Sequence, residues 1–249
     1  MTVRSKAKIA EPARHETAQP RAFPRSLLAV AAALLLAGCA QAGSSSFPPF
    51  RSVGWFAYLN GDDIRQSCKP GARDRYRLVY NAIWGEQVRD YEIIDEPGAG
   101  PLLSTRVLFP ETLNLDEIGL SDPLRGYRGR LSTIALSPAD LGEVVGQLQQ
   151  SGFEAPVPSG LVLPSDGFYW VVAACRGGAF QFNAYAYPSA RFVAITFDRW
   201  LFAHDGSGVA VNPPRPSAPR PPSNRVNVEG RIYSIFDLAV GEDGLIGVP

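Results

Sequence analysis

The sequence predicts an α+β domain, at residues 53–249, that is built on a mostly antiparallel β-sheet. Runs of β-branched and aromatic residues recur at short spacing from residue 75 to residue 236. Two of these runs flank the turn Arg176-Gly-Gly178, and one long stretch, 137–151, has the periodicity of an amphipathic helix. Many short strands around one or two helices favour antiparallel pairing over alternating βαβ units.

The first elements of the domain are a short helix and a pair of strands. Asp62 and Asp63 follow a turn-forming Asn-Gly pair, and a carboxylate at such a position caps a helix, so we expect a short helix near 62–68. Residues 75–80 alternate between apolar and polar side chains, which predicts a half-buried strand. Residues 87–94 are expected to form its partner in a hairpin.

The next three elements are two strands and the clearest helix of the chain. Strands are expected at 105–109, after a break rich in glycine and proline, and at 128–136. The helix at 137–151 has Ser137 as a favourable N-cap and a proline in its first turn. Its apolar residues recur at helical spacing, and Gly152 is suited to end it.

The same helix carries a second pattern, made of small residues. Gly142 and Gly146 are four residues apart and lie off the apolar stripe. The helix is too polar for a membrane, so we expect this pair to pack closely against a neighbouring element.

The last part of the chain contains more strands and a proline-rich loop. Strands are expected at 168–175, 179–187, 191–197 and 231–236. The strand at 168–175 is apolar on both faces, which predicts a central place in the sheet. The glycines after it permit the positive φ angles of a tight hairpin turn. Residues 212–223 are rich in proline, and we expect an extended, exposed loop there.

A short apolar stretch lies near the start of the chain. Residues 27–36 are almost entirely leucine, alanine and valine, and Arg21 and Arg25 precede them. The run is too short to cross a bilayer, which takes roughly 20 apolar residues in a helix. Basic residues, a short apolar segment and small residues after it are typical of a secretory signal peptide.

The end of that stretch, Leu36-Ala37-Gly38-Cys39, resembles the lipobox of bacterial lipoproteins. The resemblance implies that residues 1–38 are a signal peptide cut off before Cys39, and that the Cys39 thiol and amine carry fatty acyl chains. Two or more chains hold a protein stably on a membrane. The alternatives are an ordinary secretory signal cut nearby or an uncleaved anchor.

The same resemblance indicates where the domain is held. We expect the cell envelope, with the domain facing the periplasm, and Ala40 in place of an aspartate favours the outer membrane over the inner one. Residues 39–52 contain glycine, serines and prolines, and we interpret them as a flexible tether. The expected partners are the membrane, through the lipid on Cys39, and another envelope protein or polymer.

The charge of the chain argues against one class of partner. The chain has 24 basic and 24 acidic residues, and the expected cleavage takes away six of the basic and two of the acidic ones. The mature chain is therefore expected to be mildly acidic. A mildly acidic chain without a basic block is not typical of a nucleic-acid-binding protein.

Two cysteines, Cys68 and Cys175, remain once Cys39 is acylated. In an exported protein, a leftover pair most simply forms one disulfide. The alternative is two separate buried thiols.

The sequence lacks the common catalytic motifs. It has no Gly-x-Ser-x-Gly, His-Glu-x-x-His, phosphate-binding loop or Cys-x-x-Cys pattern. The one mature histidine, His204, is interpreted as a turn residue rather than a member of a Ser-His-Asp triad. A cluster of carboxylates is interpreted as a solvated face rather than an acid–base pair. Its members are Glu86, Asp90, Glu92, Asp95 and Glu96. No metal site and no cofactor are expected.

One connection between strands combines aromatic surface with polar groups. We consider it the first candidate for a ligand-binding site, although core packing of Tyr80 and Trp84 is the favoured interpretation. The candidate residues are Tyr80, Asn81, Trp84, Glu86 and Arg89.

These observations lead to a functional hypothesis and two alternatives. We expect a lipid-anchored envelope protein with a non-catalytic binding or docking domain. A carboxylate-dependent envelope hydrolase and a carrier of a small apolar ligand are the alternatives. The proline-rich stretch contains Pro-x-x-Pro spacings, which dock into aromatic grooves in some proteins, but an exposed insertion between strands is the favoured interpretation.

Overall fold

The computed structural model describes residues 54–96, 98–108, 129–220, 225–228 and 231–247. The predicted signal peptide, the predicted tether and Cys39 lie outside these residues, as do Phe109, Arg128 and the end of the proline-rich loop. The boundaries 1–38, 39–52 and 53–249 therefore stay predictions.

A six-stranded antiparallel sheet forms the centre of the fold, which confirms the predicted α+β class. Its strands follow the order β4-β3-β2-β1-β6-β7 across the sheet. They are β1 (Arg75–Ala82), β2 (Gln87–Glu96), β3 (Gly100–Leu108), β4 (Arg130–Ala135), β6 (Phe168–Arg176) and β7 (Ala179–Ala186).

Two smaller sheets accompany the main one. The first has the order β11-β10-β5, and the second pairs β8 with β9. Their strands are β5 (Val162–Pro164), β8 (Arg225–Val228), β9 (Arg231–Ser234), β10 (Asp237–Val240) and β11 (Leu245–Gly247). The strand expected at 231–236 is thus β9, which ends two residues earlier.

Five helices are present in the described part of the chain. They are α1 (Trp55–Asn60), α2 (Asp62–Ser67), α3 (Pro138–Gln150), α4 (Ala190–Val193) and α5 (Phe197–Ala203). The two predicted helices, near 62–68 and at 137–151, are α2 and α3. In α3, the Ser137 hydroxyl accepts from the Asp140 backbone N–H, and the Asp140 carboxylate accepts from the Ser137 N–H. Such a reciprocal pair satisfies two backbone donors that a helix start leaves free.

The sheet has two covered faces. The first face carries Tyr80 and Tyr91 and packs against apolar residues of α3 and α5, such as Val144 and Trp200. The second face packs against α1, α2 and the sheet β11-β10-β5. Because both faces are covered, β1 is buried along almost its whole length, and the prediction of a half-buried strand there is wrong. Strand β6 is also buried on both faces, as predicted, and lies between β1 and β7.

The strand expected at 191–197 does not form. The chain instead makes α4 and then enters α5. The Ser189 hydroxyl accepts from the Phe192 N–H and starts α4. Phe192 and Ile195 are buried while the two residues between them are exposed, so this segment packs at a helical interval of three residues.

Two smaller predictions about glycine and aspartate also differ from the structure. A methyl group added at Gly142 or Gly146 would meet no atom within 4 Å. These glycines therefore do not mediate close packing, because the apolar stripe of α3 is the face that contacts the sheet. The residue at the start of α2 is Gly61, in the left-handed conformation, and Asp62 and Asp63 occupy the first turn without capping it.

Cys68 and Cys175 form a disulfide, as the sequence predicts, with their Cα atoms 5.5 Å apart. The bond joins the residue that follows α2 to the end of β6. Next to it, Gly177 and Gly178 both adopt positive φ and connect β6 to β7 in the predicted hairpin. No helix within the described residues has the length and apolar character needed to span a membrane.

Candidate functional site

A cluster of charged and polar side chains lies between the second face of the sheet and the helices α1 and α2. The register of β1 and β2 pairs Arg77 with Glu92 and Val79 with Asp90, so that all three charged side chains emerge from the same face. Helix α1 contributes Tyr58 and α2 contributes Asp63. We call these five residues the Arg77 cluster.

Arg77 is at the centre of the cluster and is only 2% exposed. Its guanidinium donates to both carboxylate oxygens of Asp63, at 2.7 and 2.9 Å, and to Glu92 at 3.1 Å. The same group lies 3.6 Å from the centroid of the Tyr58 ring. Burial opposes its charge, but Tyr58, Asp63 and Glu92 together raise the pKa of Arg77. The residue is therefore a permanent buried cation.

Asp90 is the buried carboxylate of the Arg77 cluster. It is 4% exposed, and its Oδ2 accepts a 2.6 Å hydrogen bond from the Tyr58 hydroxyl. Its Oδ1 is buried without a hydrogen-bond partner in the described structure. Burial and the neighbouring charge of Glu92 raise the pKa of Asp90 to about 6, against the opposing effect of Arg77. Burial also raises the pKa of Tyr58 well above its ordinary value.

The Arg77 cluster has some of the chemistry of an acid–base site. Two carboxylates on one face, one of them with a raised pKa, are what a general acid and its partner need. However, Asp63 and Glu92 are both ion-paired with arginines, and Glu92 also pairs with Arg75. Asp90 has a buried hydroxyl against it instead of a cleft. The Arg77 cluster therefore attaches α1 and α2 to the sheet.

The interpretation of the acidic residues as a solvated face is wrong for Asp90. Strand β2 is an inner strand, and α1 covers the face from which Asp90 projects. Glu86 and Asp95 are exposed, as expected. Within the described residues, no group of three or more histidines, cysteines and carboxylates is close enough to hold a metal ion.

The candidate ligand-binding residues are divided between the two faces of the sheet. Tyr80 and Arg89 are paired across β1 and β2 and lie on the first face. Asn81 lies on the second face and donates to the backbone oxygens of Ser165, at 3.1 Å, and Gly167, at 2.7 Å. Trp84 packs among Trp55 and Phe236 on that side. The five residues do not line one pocket.

Three of these candidates contact the chain's own residues 205–220, which we call the strap. The Tyr80 hydroxyl donates to the Asn212 oxygen at 3.0 Å. The Glu86 carboxylate accepts from the Asn212 amide and from Arg215, both at 2.7 Å. Arg89 donates to the backbone oxygens of Val209 and Ala210 at 2.7 and 2.8 Å. The polar groups that suggested a ligand site thus bind a segment of this protein.

The buried end of the strap is held by an ion pair. Arg89 has no exposed side-chain area and is paired with Asp205, whose side chain is 4% exposed. The Tyr91 hydroxyl donates to the same carboxylate at 2.8 Å. Burial acts to raise the pKa of Asp205, but hydrogen bonds from Ser207 and Tyr91 and the charge of Arg89 hold it below its ordinary value.

The proline-rich end of the strap is extended and exposed, as predicted, over the residues described. Its two arginines face the domain: Arg215 pairs with Glu86, and Arg220 pairs with Asp166 and Asp237. A Pro-x-x-Pro ligand commonly offers a cation together with its prolines, but both arginines of the strap are paired with carboxylates of this domain.

His204 is not arranged as a catalytic base. Its Nδ1 lies 2.8 Å from the Trp200 oxygen, and its ring stacks on Trp200 with 3.9 Å between centroids. The carboxylate of the adjacent Asp205 is already paired with Arg89 and accepts a hydrogen bond from Tyr91. The contacts of His204 agree with its interpretation as a turn residue at the end of α5.

Sequence reasoning missed Tyr58, Arg77 and Asp205. Arg77 lies in a recognised strand, and an arginine between two apolar strand neighbours was read as solvent-facing. Only the knowledge that helices cover both faces of β1 would have identified it as buried. Asp205 follows His204, but its partner Arg89 is 116 residues away, and no local pattern links the two.

A groove of about 610 Å³ lies beside the outer edge of β7. Its floor includes Phe180 and Phe182, and its walls include residues 153–157 and the acidic pair Glu242 and Asp243. It is open to solvent and joins apolar with charged surface, unlike an enclosed apolar cavity.

Comparisons with protein-family models, with curated proteins and with solved structures find no match to this chain.

Proposed function

We propose that this protein is a lipid-anchored component of a bacterial cell envelope, and that its α+β domain is a non-catalytic binding module. In this proposal the signal peptide ends at Gly38, the lipid is attached to Cys39, and the domain faces the periplasm. The outer membrane is favoured over the inner one.

The observation that carries the proposal is the disulfide between Cys68 and Cys175. Disulfides persist in oxidising compartments and are rare in the bacterial cytosol. The bond uses both cysteines that remain when Cys39 is set aside. The pairing therefore agrees with an exported chain in which Cys39 has a separate role.

The ion pairing of the domain supports a binding role over a catalytic one. Asp63 is paired with Arg77, and Asp205 with Arg89. Hydrogen bonds and these arginine charges hold the pKa of both carboxyls below the ordinary value, which makes each a poor general acid. These groups fix helices and the strap onto the sheet and thereby shape the surface between them.

A carboxylate-dependent hydrolase is the second candidate function, because Asp90 has a raised pKa beside Glu92. The variant Asp90→Asn tests it, because an enzyme loses roughly 10²–10⁴-fold of its activity when its essential general acid can no longer donate a proton. Activity of the purified protein on envelope glycans that is abolished by this change would favour the hydrolase. No activity, or activity that the variant retains, argues against it.

The experiment that tests the proposal combines fractionation with crosslinking in the native host. The wild-type protein is expected in the membrane fraction of envelopes, and Cys39→Ser in the cytosolic or soluble periplasmic fraction. Cys68→Ser is the matched control, because it changes a cysteine of the domain and leaves the lipid site intact. Crosslinking of intact envelopes is expected to capture a defined envelope component with the wild-type protein.

Two results would contradict the proposal. Equal distribution of the wild type and Cys39→Ser would exclude anchoring through Cys39. A membrane-bound protein that crosslinks to no envelope component would argue against a binding module.

A further inference from the structure

Strand β4 is one end of the main sheet, and no strand among the described residues pairs with its outer side. The residue after β4, Leu136, donates its N–H to the Pro101 oxygen in β3. Alternate residues of an antiparallel strand direct both backbone groups to the same side, so the even-numbered residues of β4 face β3. The N–H and C=O groups of Leu131, Thr133 and Ala135 therefore point away from the sheet.

These three residues are accessible from outside the protein. Leu131, Thr133 and Ala135 are all exposed, and Leu131 has 62% of its surface exposed. No hydrogen bond from another described residue reaches their outward backbone groups. Their side chains emerge from the second face of the sheet, where the apolar cluster of the described residues includes no residue of β4. A further strand can therefore approach this edge without displacing a described element.

The edge also lacks the features that usually protect an edge strand from other chains. Such strands commonly carry charges, a proline or a β-bulge. From Leu131 to Ala135 the sequence is Leu-Ser-Thr-Ile-Ala, and its register with β3 is regular. An uncharged, regular and accessible edge is a template for strand pairing.

A second copy of this chain fits the edge by symmetry. Two β4 strands related by a two-fold axis at Thr133 run antiparallel, with Leu131 of each copy opposite Ala135 of the other. In this register every outward-facing residue meets an outward-facing residue, and each such pair exchanges both of its backbone hydrogen bonds. All the outward groups of the three exposed residues are then satisfied.

The charges at the two ends of β4 suit the same arrangement. The register places Arg130 opposite Leu136 of the second copy. Just after Leu136, the Asp140 carboxylate accepts from the Ser137 N–H at 2.8 Å, which fixes a negative charge beside that end of the strand. Arg130 is exposed, and its hydrogen bond to the Ser207 oxygen is long, at 3.5 Å. The cation of each copy therefore lies near the carboxylate of the other.

We propose that two copies of this protein associate through β4, so that their main sheets join into one continuous antiparallel sheet. A strand of a different protein would use the same backbone groups, but a second copy brings Arg130 and Asp140 together at both ends. The paired strands are short, so the dimer is weak and reversible. This association goes beyond the proposed envelope function and does not depend on the lipid at Cys39.

Oxidative crosslinking of the full-length protein tests the register. Thr133→Cys faces its own copy across the two-fold axis, with Cα atoms about 5.5 Å apart, which is within the range of a disulfide. Ser104→Cys is the matched control, because the Ser104 hydroxyl lies 3.2 Å from that of Thr133. In the dimer Ser104 is three strand spacings, about 14 Å, from its counterpart, which is too far for a disulfide.

A second control measures random collisions between thiols. Val193→Cys places a thiol at a position of α4 that is 75% exposed and outside β4. We expect Thr133→Cys to form a disulfide-linked dimer at least about tenfold faster than Val193→Cys, because the two thiols are held together.

Two variants at one position test the backbone pairing. Thr133→Pro removes the central outward N–H, and an edge strand tolerates proline where the N–H faces solvent. It should weaken the dimer by at least about tenfold, since both hydrogen bonds of the central pair are lost. Thr133→Ala is the control, because it keeps the N–H and should leave the dimer largely unchanged. Sedimentation of the purified protein over a range of concentrations measures both, and circular dichroism checks that both are folded.

A charge reversal tests the ends of the interface. Arg130→Glu places two carboxylates together at each end and should weaken the dimer by about fivefold at low salt. Arg176→Glu is the matched control, because it makes the same change at an exposed arginine at the end of β6, away from β4. It should leave the dimer unchanged.

Three results would contradict this dimer. They are a wild-type protein that sediments as a monomer at every concentration, Thr133→Cys that crosslinks no faster than Val193→Cys, and Thr133→Pro that associates as well as Thr133→Ala. If Thr133→Pro does not fold, the crosslinking and Arg130→Glu decide. Crosslinking of Thr133→Cys to a different protein would assign the edge to that partner and exclude the dimer. The envelope function is measured separately with Cys39→Ser and fractionation.

Discussion

The Tyr58 hydroxyl donates a 2.6 Å hydrogen bond to Asp90, and this contact joins α1 to an inner strand of the sheet. One oxygen of the Asp90 carboxylate accepts from this hydroxyl, and the other has no hydrogen-bond partner among the residues that the structure describes. A buried carboxylate is costly when ionised, and the cost is reduced here by Arg77. Asp90 is therefore a site at which the stability of the domain depends on pH.

We predict that Asp90→Asn changes this pH dependence. The pKa of Asp90 is about 6 in the folded protein and 3.8 in the reference state. Between these values the folded state binds more protons than the unfolded state, so the contribution of Asp90 to stability falls as the pH rises. The free energy of unfolding of Asp90→Asn, relative to the wild type, should increase by about 1 kcal/mol or more from pH 4 to pH 7.

Urea unfolding at several pH values measures this difference. Asp95→Asn is the control, since Asp95 is an exposed carboxylate of the same strand. A constant difference between Asp90→Asn and the wild type across the range would show that Asp90 does not titrate as proposed.

The ion pair between Arg89 and Asp205 gives a second prediction. Removing one partner leaves a buried charge without compensation, which typically costs about 3–5 kcal/mol. Arg89→Met and Asp205→Ala should each lower the free energy of unfolding by about 3 kcal/mol, and the double variant should lose less than the sum. Denaturant unfolding of the three variants measures the coupling.

The exposed pair Glu86–Arg215 is the matched comparison, because both side chains are more than a third exposed. Arg215→Ala should lower stability by less than about 1 kcal/mol. Equal losses for Arg215→Ala and Asp205→Ala would contradict the account of how the strap is attached.

The disulfide between Cys68 and Cys175 should contribute substantially to stability. It closes a loop whose ends are 107 residues apart, for which the chain-entropy model gives up to about 4–5 kcal/mol. Reductant should lower the urea midpoint of the wild type and leave that of Cys68→Ser unchanged. A wild-type midpoint insensitive to reductant, with the thiols free by alkylation, would contradict the prediction.

Glycine substitutions give a prediction in both directions. Gly142→Ala should stabilise the protein by about 0.5–1 kcal/mol, because the added methyl group meets no neighbour and alanine favours a helix. Gly178→Ala should destabilise it by about 1 kcal/mol or more, since its φ is +80° and the methyl group would lie 2.6 Å from the Lys69 oxygen. Thermal unfolding distinguishes the two, and a loss of stability in Gly142→Ala would restore the close-packing hypothesis.

The sequence was most informative where local periodicity and local packing agree. Helix α3 has its cap, its apolar stripe and its stop within one stretch of chain, and the hairpin of β6 and β7 is marked by two adjacent glycines. The segment 191–197 was misjudged because its β-branched residues suggest a strand, whereas Ser189 starts a helix there. Tertiary context therefore outweighed local propensity in this segment.

The candidate site could be predicted only in part, because burial is decided by distant elements. Arg77 resembles a solvent-facing strand residue until α1 and α2 cover it. Glu86 and Arg89 were predicted as polar groups of a ligand site, but the segment of the chain that contacts them begins more than a hundred positions later. Contacts across such separations leave no mark on the local pattern from which a single sequence is interpreted.

The most direct test of the central claim is the intact mass of the protein purified from its native host, together with the mass of its N-terminal peptide. The account predicts a mature chain that begins at Cys39 and carries fatty acyl groups on that residue, with Cys68 and Cys175 joined. A chain that retains residues 1–38, or one that begins at an unmodified Cys39, would contradict it.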